Sequence, residues 1–390
     1  MISVSEAIQH IENYCKPNKT VQKSIQKVRN RILAEDVISP INMPPFKQSS
    51  MDGYAFRYSD TSVYTIVGEV QAGSATNFQL KEGEAVRIFT GARVPNDADT
   101  VVIQEHTSTD GKELTIEKLP KMYSNVRPLG EQIEIGAIAL KKGILLNEAA
   151  IGFLAGLGIT EVLVYKKPSV SILVTGNELK QVGEPLEEGQ VYDSNSITLE
   201  LALRQLGIKK VTIDKVEDTL KATKKAVQKH LKKSDIVLIS GGISVGDYDF
   251  VKESLEANGV SEVFYKVNQK PGKPLWFGHK DQQIVFALPG NPASSLSCFY
   301  VYVLPILKAK LGHTNYHLPR IQAKASDSIK NIHGKTLFLK GSVIEGEATQ
   351  LRGQASSMLK SFAVSNALLV VPEEVNTIEK GTEITCVKLS

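Results

Sequence analysis

The sequence predicts an α/β multidomain protein. A central doubly wound α/β domain is joined by an elongated helical region, an inserted β-rich domain and a C-terminal β-barrel-like domain. Three observations lead there. Between residues 167 and 312, strand-length apolar runs alternate with helical patterns, as in a parallel sheet covered on both faces. Residues 44–132 and 313–390 instead read as short strands separated by Gly, Asn and Asp turns, the second block as a small barrel or sandwich. Helical periodicity also stands on both sides of the first β-rich block, so residues 1–43 and 133–166 read as two halves of one region into which that block is inserted.

In chain order, Ser3 or Ser5 can cap a helix carrying Ala7, Ile8, Ile11 and Tyr14, and residues 1–40 as a whole read as helical. The prolines from Pro40 to Pro45 then force extended chain. Strands are expected at 64–70, 85–90, 100–105 and 113–118, and a helix at 147–156. In the α/β block the strands are 169–175, 210–213, 235–239, 263–267, 275–277 and 284–288. Its helices are 194–206, 219–232, 250–257 and 293–311. Turns at Glu345-Gly346 and Lys380-Gly381 punctuate the last block.

Bulk properties narrow the function. The 390 residues carry a formal net charge of +4, which suits an anionic ligand and is too weak to indicate nucleic acid. Cys15, Cys298 and Cys386 lie far apart, in neither a disulfide framework nor a zinc spacing. The longest apolar stretch, 149–164, is broken by Gly152, Gly156, Gly158 and Glu161 and is too short for a membrane span. With no secretory signal visible at the N-terminus, a cytoplasmic protein is the expectation.

Two Gly-rich turns carry most of the chemical information. Ser240 to Asp249 follows the apolar run DIVLI, and Pro289-Gly290-Asn291-Pro292 follows QIVFAL. Such turns let backbone N–H groups close on an anion at the carboxyl ends of strands. Gly241, Gly242, Ser244, Gly246, Pro289, Gly290, Asn291 and Pro292 are the candidate cradle. Glu178, Asp247 and Asp249 should lie beside it; carboxylates next to a phosphate call for a divalent cation such as Mg²⁺. Asp247 and Asp249 equally suit helix capping, and the spacing leaves both roles open. Lys266, Lys270 and Lys273 surround a Pro-Gly turn, either as phosphate partners or as a solvated basic turn. A plain N-cap accounts for Asp218, and a tight turn accounts for Asp52-Gly53. No Ser-His-Asp or Cys-His set suggests itself.

Eight segments in order then resemble one family: PPFKQSSMDGYA (44–55), RIFTGARVPNDADTVVIQE (87–105), NVRPLGE (125–131), TGNEL (175–179), VYDSNS (191–196), SGGISVGDYD (240–249), KPGKP (270–274) and LPGNPAS (288–294). The chain resembles the molybdopterin molybdenumtransferases, bacterial relatives of the gephyrin E domain. The resemblance implies the last step of molybdenum cofactor assembly: adenylylated molybdopterin is bound, molybdate is inserted into its dithiolene, and AMP leaves with help from Mg²⁺ or another divalent cation. It implies catalytic roles for Asp52, Thr90, Glu178, Asp249, Lys266 and Lys270, with Glu178 and Asp249 on the metal. Cofactor binding is implied for the cradle residues with Asp218, Lys273 and Ser356. A homodimer with shared sites is also implied, Asp52 and Thr90 acting across subunits. Molybdopterin adenylyltransferase and recipient molybdoenzymes are the implied protein partners.

Three positions depart from the family's usual residues: Asn177 and Gln132 stand where Asp is common, and Lys340 where Arg is common. Loss of the bidentate guanidinium implies a weaker hold on molybdate. Two other functions remain open: molybdopterin adenylyltransferase, which needs only the α/β unit, and a cofactor carrier or scaffold without turnover.

Overall fold

A computed structural model describes residues 1–243 and 250–389. The chain forms two compact units, Met1–Val21 with Asn30–Ile32 and Val164 onward, and Gln22–Arg29 with Leu33–Leu163.

The second unit is built on a six-stranded sheet in the order Thr100–Ile103, Gly53–Phe56, Glu84–Ile88, Val63–Val70, Glu113–Ile116, Thr107–Asp110. Period-two alternation divides its residues between two cores. Ala55, Val86 and Val101 face one side; Phe56, Ala85 and Val102 face the other. Gly53 opens a strand instead of making a turn, because a Cβ there would stand 1.8 Å from the Val102 carbonyl oxygen. The helix Glu148–Gly156 is capped by Asn147, whose side chain accepts from the Ala150 amide at 2.9 Å.

The helical reading of residues 1–40 is corrected. The single α-helix there is Val4–Glu12, closed by a Ser3/Glu6 capping box; a strand follows at Thr20–Ser24 and a 3-10 turn at Ile25–Lys27. Pro17 and Asn18 stop the helical pattern, and β-branched Thr20 and Val21 suit a strand. Across 133–166 likewise, strands at Ile138–Leu140 and Glu161–Tyr165 flank the one helix.

The α/β sheet of the first unit runs Val211–Val216, Val170–Thr175, Ile236–Ser240, Gln283–Leu288, Trp276–Lys280, Ser261–Tyr265. The first four strands are parallel. Ile172, Leu238 and Phe286 enter one core, Leu173, Val237 and Val285 the other, which is why DIVLI and QIVFAL read as unbroken apolar runs. The expected all-parallel sheet is corrected to a mixed one. Trp276–Lys280 is antiparallel to both neighbours. Only Asp281 and Gln282 separate it from the next strand, and so short a link cannot cross over. The expected helix 293–311 is three segments, Pro292–Cys298, a π-turn Phe299–Val303, and Leu304–Lys310. Pro305 has no N–H to donate back along the helix, and the wider turn accommodates it.

Five strands close a C-terminal barrel: Thr336–Ile344, Glu347–Gln350, Arg320–Ala325, Glu383–Lys388 and Ala367–Val371, the last pairing back with the first. Glu345-Gly346 makes the expected two-residue hairpin, both with positive φ. No described helix is long and apolar enough to cross a membrane.

One buried polar row ties the α/β sheet to its outer helix Leu220–Leu231. Ser171 and Ser234 hydroxyls lie 2.6 Å apart, Ser171 Oγ is 2.8 Å from His230 Nδ1, and His230 Nε2 is 2.6 Å from Asp214 Oδ2. A dispersed Ser-His-Asp set therefore does exist, but Ser171 and His230 are wholly buried. Hydrogen bonding from Lys229 and then His230 holds the Asp214 carboxyl below its ordinary range. Ser171→Ala should destabilise the protein by about 1–3 kcal/mol in urea unfolding, because it strands His230 Nδ1 and the Ser234 hydroxyl. Asp214 stabilises the fold above its unfolded pKa of about 3.9, and that contribution is lost as pH falls through the lower folded value. The stability gap between wild type and Asp214→Asn should accordingly be full at pH 7 and close in strong acid, read from denaturant curves across pH.

Candidate functional site

Three parallel strands end level at one edge of the α/β sheet. Val174, Ser240 and Leu288 are in register, so Gly176, Gly241 and Pro289 emerge side by side. They wall a cavity of about 670 Å³ together with Glu178, Asp193, Asp218 and Ser357. Glycine is required at Gly241: its φ is 92°, and a Cβ would stand 2.9 Å from both the carbonyl and hydroxyl oxygens of Thr175.

Asn195 locks two of these turns. Its buried side-chain amide donates to Ser240 Oγ at 2.8 Å and to the Gly290 carbonyl at 2.7 Å. Asp218 is not the N-cap of the following helix. That cap is Thr219, which accepts from the Ala222 amide at 3.2 Å. The Asp218 carboxylate instead accepts from the Asn177 amide at 3.0 Å, and Asn177 Oδ1 accepts from the Asp218 amide at 3.3 Å. This reciprocal pair joins the turn after the first strand to the loop before the helix and holds a carboxylate on the cavity wall. Asp193 is occupied in accepting from the Ser196 amide at 3.1 Å.

A second cavity, about 560 Å³, adjoins the first and shares Pro274, Pro289 and Asn291 with it. Its charged walls are Lys270, Lys273 and Lys335, with the His333 imidazole beside them and no carboxylate among the described lining residues. Buried Gln269 holds the Pro-Gly turn by donating to the Gly272 carbonyl at 3.1 Å and accepting from the Tyr302 hydroxyl. Parallel pairing of Gln269–Lys270 with Thr336–Leu337 brings the 333–335 loop alongside. Lys270 Nζ then lies 2.7 Å from His333 Nε2. Since an ammonium only donates, that ring nitrogen accepts here.

Ser356 stands between the cavity and the helix Pro292–Cys298. Its carbonyl accepts from the Ala293 and Ser294 amides at 3.0 and 3.3 Å, and its hydroxyl accepts from Asn291 Nδ2 at 2.9 Å. The first amides of the helix after Pro292 are thus already engaged within the protein. Lys340 lines neither cavity, and its ammonium donates to the Ala355 and Met358 carbonyls at 3.1 and 3.0 Å.

The remaining expected residues divide as follows. Glu178, Asp218, Gly241, Gly242, Pro289, Gly290, Asn291 and Pro292 line the first cavity; Lys270, Lys273 and Ser356 line the second, which also shares Pro289 and Asn291. Lys266 lines neither and lies over the Tyr265 ring at 4.7 Å. Ser244, Gly246, Asp247 and Asp249 fall outside the described residues. In the other unit, Asp52 Oδ1 accepts from the Thr90 amide at 2.7 Å and its hydroxyl at 2.8 Å, which holds the Asp52 carboxyl below its ordinary range. Asn195, His333 and Lys335 carry weight that residue-level reading did not give them. For Asn195 the signal lay in the VYDSNS segment; for His333 and Lys335 there was none, since strand pairing alone places them.

Family models cover most of the chain: "MoeA N-terminal region (domain I and II)" over residues 2–158, "Probable molybdopterin binding domain" over 171–309, and "MoeA C-terminal region (domain IV)" over 322–389. A protein of Haemophilus influenzae named molybdopterin molybdenumtransferase is 36% identical over 379 residues, 95% of this chain and 94% of that one. One of the same name from Staphylococcus aureus is 32% identical over 382 residues, 95% and 89% of the two chains. Two crystal structures of the moeA protein of Pyrococcus horikoshii, at 29% and 28% identity, match all of this chain and 99% and 100% of theirs, with TM-scores of 0.88 and 0.82. A closed barrel after an α/β domain, the eight ordered motifs and these matches agree, and the chain belongs to the MoeA family.

Proposed function

We propose that this protein is a molybdopterin molybdenumtransferase that takes adenylylated molybdopterin in the first cavity and molybdate in the second. The observation that carries the reading is the segregation of charge between two adjoining cavities. One has carboxylates beside Gly-rich turns; in the other, the charged side chains among the described residues are all cationic. The first suits a phosphoanhydride held through a divalent cation, the second a bare oxyanion.

In this reading the turns at Gly241 and Gly290 approach the phosphates closely, because neither turn has a side chain there. Lys270 and Lys273 stabilise negative charge as the phosphoanhydride bond breaks. Water attacks the molybdopterin phosphorus, the phosphoanhydride P–O bond breaks and AMP departs; the two dithiolene thiols then form Mo–S bonds, and one molybdate oxygen leaves as water with their two protons. No protein nucleophile is needed. Glu178 would hold Mg²⁺, with Asp218 on the same cavity wall, and Asp249 is assigned to the ion by resemblance. The residues fit that ion's habit of one or two carboxylates plus substrate phosphate, and it would supply neutralisation of phosphate charge. Lys266 remains assigned by resemblance.

The reading extends to a cytoplasmic homodimer, in which Asp52 and Thr90 serve the partner's site. An apolar surface on the second unit supports association. Ile38 and Ile138 pair across a two-stranded ribbon and are 50% and 46% exposed, with Ile135 nearby in sequence at 62%. We also assign four domains: 1–43 with 133–166, 44–132, 167–312 and 313–390. Molybdopterin adenylyltransferase and recipient molybdoenzymes are the proposed partners before and after this step.

With Mg²⁺ present, the purified protein should release AMP from adenylylated molybdopterin only when molybdate is added, and Glu178→Gln should raise the half-saturating Mg²⁺ concentration about tenfold or more. ATP consumption with free molybdopterin would point instead to the adenylyltransferase, and binding without turnover to a carrier. Sedimentation should give twice the chain mass of 42.6 kDa, and Ile38→Lys with Ile138→Lys should shift the protein to monomer. A wild type that sediments as a monomer at every concentration would rule out the shared site.

A further inference from the structure

In the second unit, two opposite charges stand near each other without pairing. Tyr54 and Arg87 are cross-strand partners and Phe89 follows two residues on, so the half-buried Arg87 guanidinium lies over both rings, 5.0 and 5.2 Å from their centroids. Its Nη2 donates to Gln104 Oε1 at 2.5 Å, and the Gln104 amide donates to the Asp52 carbonyl at 3.1 Å. The Asp52 carboxylate is exposed, and Thr90 holds it through Oδ1 alone. The charge of Arg87 reaches that carboxylate: after the Thr90 bonds, it is a further cause of the lowered Asp52 pKa. Yet no ion pair joins the two.

An arginine beside a carboxylate ordinarily closes a bidentate pair. Here each group has its own anchors, so Asp52 Oδ2 and the remaining guanidinium N–H groups have no partner among the described residues. What is left is a fixed donor beside a fixed acceptor, next to a guanidinium plane and two aromatic rings. A ligand spanning them would be flat, with a hydrogen-bond acceptor next to donors along one edge. The pterin of molybdopterin has such an edge: a ring carbonyl, a ring N–H and an exocyclic amino group in a row. Adenine offers one donor beside its acceptor, whereas a carboxylate oxygen takes two. A bare phosphate would be repelled by Asp52.

We propose that Arg87 and Asp52 read the pterin ring of the substrate: the guanidinium donates to the ring carbonyl, and Asp52 Oδ2 accepts from the ring N–H and the amino group. Thr90 and Gln104 are then positioning residues, which keep the carboxylate and the guanidinium from closing on each other. The proposal rests on the reading of the substrate as molybdopterin and deepens it, by naming the group that Asp52 serves.

Free pterin, titrated with the full-length protein and followed by its own fluorescence, tests this without turnover. Wild type should bind pterin at least about tenfold more tightly than lumazine, in which a second carbonyl replaces the amino group and would face the carboxylate. Adenosine should also bind more weakly than pterin. Asp52→Asn can still accept from Thr90 but turns an N–H donor to the ligand, and should shift the preference toward lumazine. Arg87→Lys keeps the charge but loses the plane and the fork, and should weaken pterin binding about tenfold. Urea midpoints near wild type check that the sheet is intact in both variants; if either unfolds, the comparison of ligands on wild type decides.

Equal affinity for pterin and lumazine, tighter binding of adenosine, or no pterin binding up to about millimolar concentration would overturn the proposal. A preference that survives Asp52→Asn would overturn the role of Asp52, and unchanged affinity in Arg87→Lys that of Arg87. Pterin preference in a protein that releases no AMP would support this site while overturning the transferase reading.

Discussion

A single carboxamide, that of Asn195, sets the spacing of the sheet edge. By donating to Ser240 and Gly290 together it ties the starts of two turns at the strand ends. Closeness requires glycine at 241, where the Thr175 oxygens would stand 2.9 Å from a Cβ, but not at 290, where a Cβ would meet Gly241 Cα at an ordinary contact distance of 3.6 Å. The same edge is joined by the Asp218–Asn177 pair, so polar side chains hold the connections after all four parallel strands. Their polar groups are used to position one another, which holds these turns through contacts within the protein.

Much of this was legible in the sequence, for identifiable reasons. DIVLI and QIVFAL announced central strands because a strand buried on both faces has no polar side to alternate with. The Gly-rich turns announced the edge because close backbone approach leaves few residues possible. Glu345-Gly346 announced its hairpin by turn chemistry alone. Where local rules sufficed, reading from residue to element succeeded.

Other features depended on tertiary partners that sequence does not display. Asp218 stands one residue from a helix start and looks like a cap, yet Thr219 caps and Asp218 turns to a residue 41 positions away. Nothing in the sequence around Lys340 shows that barrel closure buries it. His333 and Lys335 have no motif, and reach the KPGKP turn only through parallel pairing with a strand more than 60 residues along. The antiparallel direction of Trp276–Lys280 escaped because the strand was expected at 275–277, which hid the two-residue link to the next one.

The row Ser171–His230–Asp214 shows what connectivity alone is worth. Its order of contacts is that of a hydrolytic triad, with hydroxyl, imidazole and carboxylate in sequence. Yet the hydroxyl lies within a central strand at zero exposure and is shared with Ser234. A nucleophile must meet an electrophile, and no acyl group can enter a close-packed interior without unfolding it. The chain thus carries the wiring of an esterase as an internal brace, and a serine-directed covalent reagent has nothing here to label while the sheet stays closed.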